Sequence, residues 1–351
     1  MFSISFANSS FVARKNNTAN MYTAAPLKKS GMVGDTVSFG AKSVLNSTKI
    51  TNIQFPLRLV SGLPCPYCGN IMYTVNDAAR FGLEMASAKG KELQMGLILK
   101  LGPQEFTNQK SVAFDIIRLS KEKPELTIKE ILHEMAPEAE ERLVEKQKRI
   151  LVEAQKITAQ LTPDLKAKTD HDFEVVNTLI ERPFEENGFR NKTLQGGFMN
   201  LFRQEKDSNN KNVLASSIET LLTLPTSYFD KDAFIVKYSR RSSRETAEEL
   251  LLPYRSSAEH LETRSNGGSK ELDNLLCVHR HCNSKRSSDD LDVFAGKTPN
   301  LESHISKHLV AVQGHLSQNP SKKFKNYIAG IVKRVEEQSF GILKINIGGN
   351  K

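Results

Sequence analysis

The chain has 351 residues and a formal net charge of +9, with 38% hydrophobic and 25% charged residues. This composition fits a soluble globular protein, and the length allows one large domain or two modest ones. No apolar run approaches the length that crosses a bilayer, so we expect no membrane partner. The excess of positive charge favours acidic partners, of which nucleic acid is the most common.

Residues 1–51 are rich in Ser, Asn, Thr and Lys, contain one acidic residue, Asp35, and show no helical periodicity. This pattern predicts a basic, poorly ordered N-terminal tail. An organellar transit peptide has a similar composition, but this segment holds a single arginine, Arg14. Its start also lacks the charged and apolar regions of a secretory signal.

The four cysteines fall into two close pairs, Cys65 with Cys68 and Cys277 with Cys282. Polar turn residues surround both pairs. In a chain of this size without a secretory signal, such grouping is typical of metal binding rather than of disulfides. We therefore expect a reducing, intracellular location, in the cytoplasm.

Residues 76–230 are predicted to be helical. The clearest helix is expected over 137–161, with Pro137 in its first turn and Pro163 stopping it. Its apolar face follows from spacings of three and four. That face comprises Leu143, Gln147, Ile150, Ala154, Ile157 and Leu161.

Two capping boxes predict where further helices begin. Thr127 with Glu130 predicts a helix that precedes the one starting near Pro137. Ser242 with Glu245 predicts a short helix that ends at Pro253.

Other signals divide the remaining chain. A glycine pair at 196–197 and a polar loop at 206–212 are expected to interrupt the helices. Residues 301–315 and 323–337 are amphipathic and predict two C-terminal helices. Residues 342–347 alternate polar and apolar side chains, which predicts a short edge strand.

Residues 256–286 carry the most informative pattern. An apolar-leaning segment ends in Glu259 and His260, a two-glycine turn follows, and Asn274 precedes a second apolar run. A knuckle rich in histidine and cysteine then leads to Asn283. A strand, a turn, a second strand and a helix would bring Glu259, His260 and Asn283 into one cleft.

These residue types suit phosphodiester hydrolysis, which needs a base to deprotonate water and a cation to neutralise developing charge. A neutral histidine such as His260 suits the first task near physiological pH. Mg²⁺ or Mn²⁺ prefers oxygen ligands, which Glu259 and the Asn283 amide offer. Lys285 and Arg286 are expected to bind flanking phosphates of the nucleic acid.

The same stretch resembles the HNH, or ββα-metal, nuclease family, whose pattern runs acid-His, a turn with Gly-Gly, Asn-Leu, and a knuckle ending Cys-Asn-x-x-Lys. The resemblance implies an endonuclease that hydrolyses DNA, with His260 as general base and Glu259 and Asn283 as ligands of one Mg²⁺ or Mn²⁺. It implies that Asn274 ties the loop between the strands. This chain departs from the family in having Glu259 where Asp is more common, and no Pro at 262–263.

The resemblance also implies a structural zinc bound by one Cys-x-x-Cys before the motif and a second half-site inside it. The expected ligands are Cys65, Cys68, His279 and Cys282. Cys277 and His281 are competing ligands. His279 is favoured because its spacing to Cys282 matches the knuckle turn.

The first zinc half-site is far from the motif that contains the second one, since His260 lies 192 positions after Cys68. Closing so long a loop adds little entropic cost, and we infer that a helical domain is inserted there. The predicted fold is mainly α with a small α+β unit: a ββα-metal core that carries a large helical insertion. The expected segments are a tail (1–51), the first half-site (52–75), the insertion (76–230), the catalytic unit (231–298) and C-terminal helices with a tail (299–351).

Two alternatives stay open at this point. A zinc-stabilised nucleic-acid-binding or interaction protein would keep the zinc ligands without catalysis, and RNA stays an alternative substrate because nothing in the motif reads the sugar. His304, His308 and His315 share a helical face, but no cysteine or carboxylate accompanies them at ligand spacing. We therefore do not predict a second metal site there.

Overall fold

The computed structural model describes residues 61–180, 184–226, 230–317 and 322–348, and the predicted tail at 1–51 lies outside them. The described helices are α1 (Val75–Met85), α2 (Gly90–Leu101), α3 (Asn108–Glu122), α4 (Ile128–Thr158), α5 (Pro163–Ile180), α6 (Phe184–Gln204), α7 (Ser208–Leu222), α8 (Lys231–Tyr238), α9 (Ser243–Leu250), α10 (Arg280–Arg286), α11 (Leu291–Lys297), α12 (Leu301–Ser317) and α13 (Lys322–Gln338). The strands are β1 (Ser256–His260) and β2 (Leu275–His279), which form an antiparallel pair. The fold is mainly α with one small sheet, as predicted. No described helix combines the length and apolarity that spanning a bilayer demands.

The predicted capping boxes are confirmed. Thr127 accepts a hydrogen bond from the Glu130 backbone, and the Glu130 carboxylate accepts one from the Thr127 backbone. Ser242 and Glu245 make the same reciprocal pair at the start of α9. Each box satisfies two backbone N–H groups that have no partner inside the helix, which fixes both helix starts.

The prediction that Pro137 opens a separate helix is wrong, because α4 runs through it without a break. A proline inside a helix costs about 3 kcal/mol. Buried side chains on both sides of it, among them Ile131, Leu132, Ala139 and Leu143, offset that cost. Pro163 instead occupies the first position of α5.

The glycine pair at 196–197 does not interrupt a helix either, because both residues lie inside α6. A Cβ at position 197 would lie 2.6 Å from an Asp172 carboxylate oxygen, so glycine allows α5 and α6 to approach closely. The polar loop is shorter than predicted, since Asp207 caps α7.

The C-terminal helices are confirmed as α12 and α13, whereas the predicted edge strand at 342–347 is wrong. Its backbone bonds to helix side chains: Lys344 N donates to Glu302 (3.0 Å) and Asn346 N donates to Ser306 (3.3 Å). The alternation of this segment reflects the burial of Leu343 against the core rather than pairing with a strand.

Two apolar cores lie among the helices between the two predicted half-sites, Cys65 with Cys68 and His279 with Cys282. One packs α1 to α3, the first half of α4, α8 and α9, and the other packs the second half of α4 with α5 to α7. At 31 residues, α4 is about 46 Å long, which lets it contribute to both.

A third core contains the first half-site, β2 and the helices α10 to α13. The chain leaves this core after Tyr73 and returns at Arg255, and these two residues form a parallel bridge. Tyr73 N donates to Tyr254 O (3.1 Å), and Ser256 N donates to Tyr73 O (2.8 Å). The long helical segment therefore starts and ends at neighbouring points of the backbone.

Candidate functional site

The first half-site is a tight turn that presents Cys65 and Cys68. Cys65 N donates to Asn70 O (2.7 Å), and Gly69 N donates back to Cys65 O (2.8 Å). Gly69 has a φ of +76°, a conformation that glycine adopts without strain. A Cβ at that position would also lie 3.0 Å from the ring of His304, so the turn needs glycine for two reasons.

The structure brings together the four residues that the cysteine spacing selected. The ligand atoms of Cys65, Cys68, His279 and Cys282 all lie within 4.8 Å of one another. His279 Nδ1 is 3.2 Å from Cys68 Sγ and 3.9 Å from Cys282 Sγ. Three thiols and one imidazole in such a cluster could bind zinc, which favours four sulfur and nitrogen ligands in a tetrahedron.

A hydrogen bond selects the tautomer of His279 that a metal needs. Nε2 lies 3.0 Å from the Ile71 carbonyl oxygen. Because a carbonyl oxygen can only accept, Nε2 carries the hydrogen, and Nδ1 presents its lone pair to the thiols. Gln104 in the α2–α3 loop donates to the same Ile71 oxygen (3.0 Å), so the helical segment supports the cluster.

The thiols also influence one another's ionisation. Hydrogen bonds to Cys65 and Cys68, together with burial, raise the pKa of Cys282 well above its usual value. Against the effect of burial, hydrogen bonds from Cys282 and Cys68 hold the pKa of Cys65 well below its usual value. The cluster therefore gathers negative charge at its centre, where a cation would release the remaining protons.

The two competing ligands lie outside this cluster. Cys277 is fully buried on β2 opposite Ala258, and burial raises the pKa of its thiol. The Nε2 atom of His281 lies 3.8 Å from a carboxylate oxygen of Glu105. Within the described residues, the cluster thus has the composition that the knuckle spacing predicted.

His260 is the last residue of β1 and pairs with Leu275, so it lies at the opposite end of the strand pair from His279. Arg264 Nε donates to His260 Nε2 at 3.3 Å. Asn283 in α10 donates through Nδ2 to Ser257 Oγ (3.0 Å) and Ala258 O (3.2 Å), which holds the helix to β1.

Asn274 ties the loop between the strands. Its side chain accepts from Glu262 N (2.8 Å) and donates to Glu262 O (3.2 Å) and Ser269 O (2.8 Å). A Cβ at Gly268 would lie 1.9 Å from Glu262 O, so only glycine fits the turn that Asn274 closes. These contacts define the loop although positions 262–263 hold no proline.

Glu259 and Arg286 form a buried ion pair that the sequence did not predict. Glu259 is 4% exposed and Arg286 is 0% exposed. Burial raises the pKa of Glu259 to about 7, although the Arg286 guanidinium acts in the opposite direction. Arg286 also donates to His260 O (2.7 Å) and Leu261 O (2.6 Å), so it holds the end of β1 against α10.

This burial does not fit the expected phosphate contact of Arg286. Positions 282 and 286 are four residues apart on α10 and share its buried face, so the arginine follows Cys282 into the core. Lys285, the residue before Arg286, is exposed. The lysine is thus the member of the predicted pair that can reach a bound molecule.

No protein-family model, curated protein or solved structure matches this chain.

Two histidines support the first half-site in a way that the sequence did not show. His304 Nδ1 donates to Tyr67 O (3.1 Å), and His308 Nδ1 donates to Pro64 O (2.8 Å). Burial lowers the pKa of His308 to about 4, so this ring is neutral at physiological pH. Their spacing of four residues indicates that both histidines lie on one face of α12. It does not indicate that their partners are backbone carbonyl groups of the first half-site.

Proposed function

We propose that this protein is an HNH-type endonuclease that hydrolyses DNA phosphodiester bonds. The observation that carries the proposal is the order of elements around His260. His260 is the last residue of β1, and a loop held by Asn274 leads from there to β2. The helix α10 follows β2 directly, and its Asn283 side chain is hydrogen-bonded to β1. Strand, loop, strand and helix in this order, with these side chains at these positions, match the pattern of that nuclease family.

His260 is the proposed general base. The hydrogen bond from Arg264 shows that His260 Nε2 acts as an acceptor, so this nitrogen carries the lone pair that removes a proton from water. Arg286 holds the backbone of His260 and Asn274 holds the loop that follows it, which fixes the backbone from which the imidazole extends. Exposed Lys285 is the proposed contact for a flanking phosphate.

Zinc at the cluster of Cys65, Cys68, His279 and Cys282 is proposed to be structural. Four protein ligands complete a tetrahedral shell, and a catalytic zinc needs an open position for water or substrate. The zinc would fasten the first half-site to β2 and α10. It would thereby hold the hairpin that carries His260.

The predicted Mg²⁺ or Mn²⁺ does not fit between Glu259 and Asn283 in this arrangement, because Arg286 already neutralises the buried carboxylate. Both hydrogen bonds of Asn283 use Nδ2, which leaves the lone pairs of Oδ1 to another partner. The metal requirement of the reaction stays a prediction that cleavage assays decide.

The same ion pair favours a second candidate, a zinc-stabilised nucleic-acid-binding protein without catalysis. Such a protein would use Glu259 and Arg286 only to join β1 to α10, and it would keep the zinc cluster and the positive charge. It would not need an imidazole whose Nε2 acts as an acceptor at the end of β1. We rank the nuclease first on that ground.

The first experiment is cleavage of supercoiled plasmid by zinc-loaded protein with Mg²⁺ or Mn²⁺. We expect nicked or linear DNA from the native protein and none from His260→Ala at unchanged zinc content. His315→Ala, an exposed histidine of α12, is the matched control and should cleave like the native protein. Binding of DNA without cleavage of DNA or RNA would support the binding protein, and equal cleavage by His260→Ala would exclude His260 as the base.

A further inference from the structure

Arg264 lies beside the proposed base, His260, and the sequence motif did not predict a role for it. It begins the short 3-10 turn Arg264–Asn266, its side chain is exposed, and its Nε lies 3.3 Å from His260 Nε2. A guanidinium N–H can only donate, so this contact occupies the lone pair that a general base uses.

The backbone that carries Arg264 is firmly held. Gly267 closes the turn with a φ of +90°, and Asn266 Nδ2 donates to Asp290 (2.6 Å). Thr263 and Ser265 share a hydrogen bond between their hydroxyls (2.9 Å). Movement at this site is therefore expected in the long Arg264 side chain rather than in the loop.

The partner of Arg264 is unusual for an arginine of this region. Arg286 pairs with Glu259, and Arg334 pairs with Asp273 (2.9 Å). No carboxylate within 4.0 Å of Arg264 occurs among the residues that the structure describes. Its positive charge is thus directed at a neutral imidazole, which is a weaker acceptor than an anion.

We infer that Arg264 binds an oxygen of the scissile phosphodiester and, in doing so, leaves His260 Nε2 to the attacking water. A phosphate oxygen offers a charge-assisted and bidentate partner, so the guanidinium exchanges the imidazole for the substrate. This inference rests on the proposed nuclease function and names a substrate-binding residue for it. In the protein without substrate, Arg264 is hydrogen-bonded to His260, and binding of the substrate would break this hydrogen bond.

The first test measures binding rather than cleavage. A labelled DNA duplex is titrated with zinc-loaded native protein, Arg264→Ala and Arg264→Lys at a series of NaCl concentrations, without added Mg²⁺ or Mn²⁺. Each phosphate contact contributes about 0.9 to the slope of log affinity against log salt. We expect Arg264→Ala to lose about one such unit, and Arg264→Lys to keep it because it keeps the charge.

Arg118→Ala is the matched control, because Arg118 is an exposed arginine on α3 and its loss changes the net charge equally. Its slope should equal that of the native protein. An unchanged slope in Arg264→Ala, or the same reduction in Arg118→Ala, would overturn the inference.

The second test measures kcat/KM for cleavage by the same variants. We expect Arg264→Ala to lose about 10²-fold, in the range seen for removing one anion-stabilising donor. Arg264→Lys should fall between that variant and the native protein, because it restores the charge without the two-pronged geometry. Equal kcat/KM in Arg264→Ala and native protein would overturn the inference.

The two tests separate this inference from the proposed function. Native protein that cleaves DNA, together with an unchanged slope in Arg264→Ala, would keep the nuclease and remove Arg264 from the site. Native protein that binds DNA with an Arg264-dependent slope but never cleaves would remove the nuclease and keep Arg264 as a phosphate contact.

Discussion

The cluster of Cys65, Cys68, His279 and Cys282 and the end of β1 around His260 both contact β2 and α10, yet different interactions hold them. In the cluster, three thiols and an imidazole converge on a point where a cation would satisfy all four. At the end of β1, Glu259 and Arg286 form an ion pair, and hydrogen bonds from Asn274 and Asn283 fix the loop and the helix. The cluster would thus gain stability from an added ion, whereas the end of β1 carries its own counter-charge.

Removal of Cys65 from the cluster should have the largest effect. Cys65→Ala is expected to lose zinc and the cooperative unfolding of the third core, because structural zinc supplies on the order of 10 kcal/mol of folding free energy in small zinc domains. Zinc content by mass spectrometry and thermal unfolding measure both effects. Cys277→Ala is the matched control, since this cysteine is equally buried but lies outside the cluster. Zinc retained in Cys65→Ala would disprove the ligand set.

Breaking the buried ion pair of Glu259 and Arg286 should have the next largest effect. Glu259→Gln leaves the Arg286 guanidinium buried without a counter-charge, and the free energy of unfolding is expected to fall by about 3–5 kcal/mol. Denaturant unfolding of the zinc-loaded protein measures the change. The double variant Glu259→Gln with Arg286→Met should recover part of the loss, because it removes the unpaired charge as well. A stable Glu259→Gln that still cleaves DNA would contradict the structural role of this pair.

The pH dependence of stability should show the smallest effect, through His308 of α12. Its pKa lies near 4 in the folded protein against 6.5 for the free side chain. The unfolded chain therefore binds more protons between these values, and His308 lowers the stability as the pH falls from about 6.5 to about 4. The full difference is on the order of 3 kcal/mol.

Unfolding curves of native protein and His308→Gln across that pH range test this prediction. The native protein should lose more stability toward low pH than the variant, while His315→Ala should follow the native curve because that histidine is exposed. Parallel curves for native protein and His308→Gln would show that His308 does not titrate in this way.

The sequence predicted the cluster of Cys65, Cys68, His279 and Cys282 better than the contacts at the end of β1, for a physical reason. Each half-site lies in a short local turn, so the x-x spacing of Cys65 and Cys68, and of His279 and Cys282, already determines which atoms face one another. The pairing of Glu259 with Arg286 depends on how α10 packs on β1. That packing follows from the buried face that Arg286 shares with Cys282. The sequence pattern instead predicted that Arg286 binds a flanking phosphate, which needs an exposed side chain.

The errors in the helical part have a similar origin. Pro137 and the glycine pair at 196–197 are local signals for a break, but burial along α4 and the close contact of α6 with Asp172 outweighed them. Capping boxes were reliable because both of their hydrogen bonds are made within four residues. A sequence signal predicted the structure where its hydrogen bonds form between nearby residues, as in the capping boxes. It failed where tertiary packing could oppose it, as at the proline and the glycine pair.

The bridge between Tyr73 and Arg255 has a consequence for how such a protein can vary. Because the helical segment leaves and rejoins the third core on adjacent backbone positions, it can be exchanged or shortened as a unit, as in a domain-insertion experiment. A linker of a few residues would span the two positions, since paired strands lie about 4.8 Å apart. The hairpin that carries His260 and the helical segment could thus be inherited separately. A replacement for the helical segment would have to supply a donor for Ile71 O in place of Gln104.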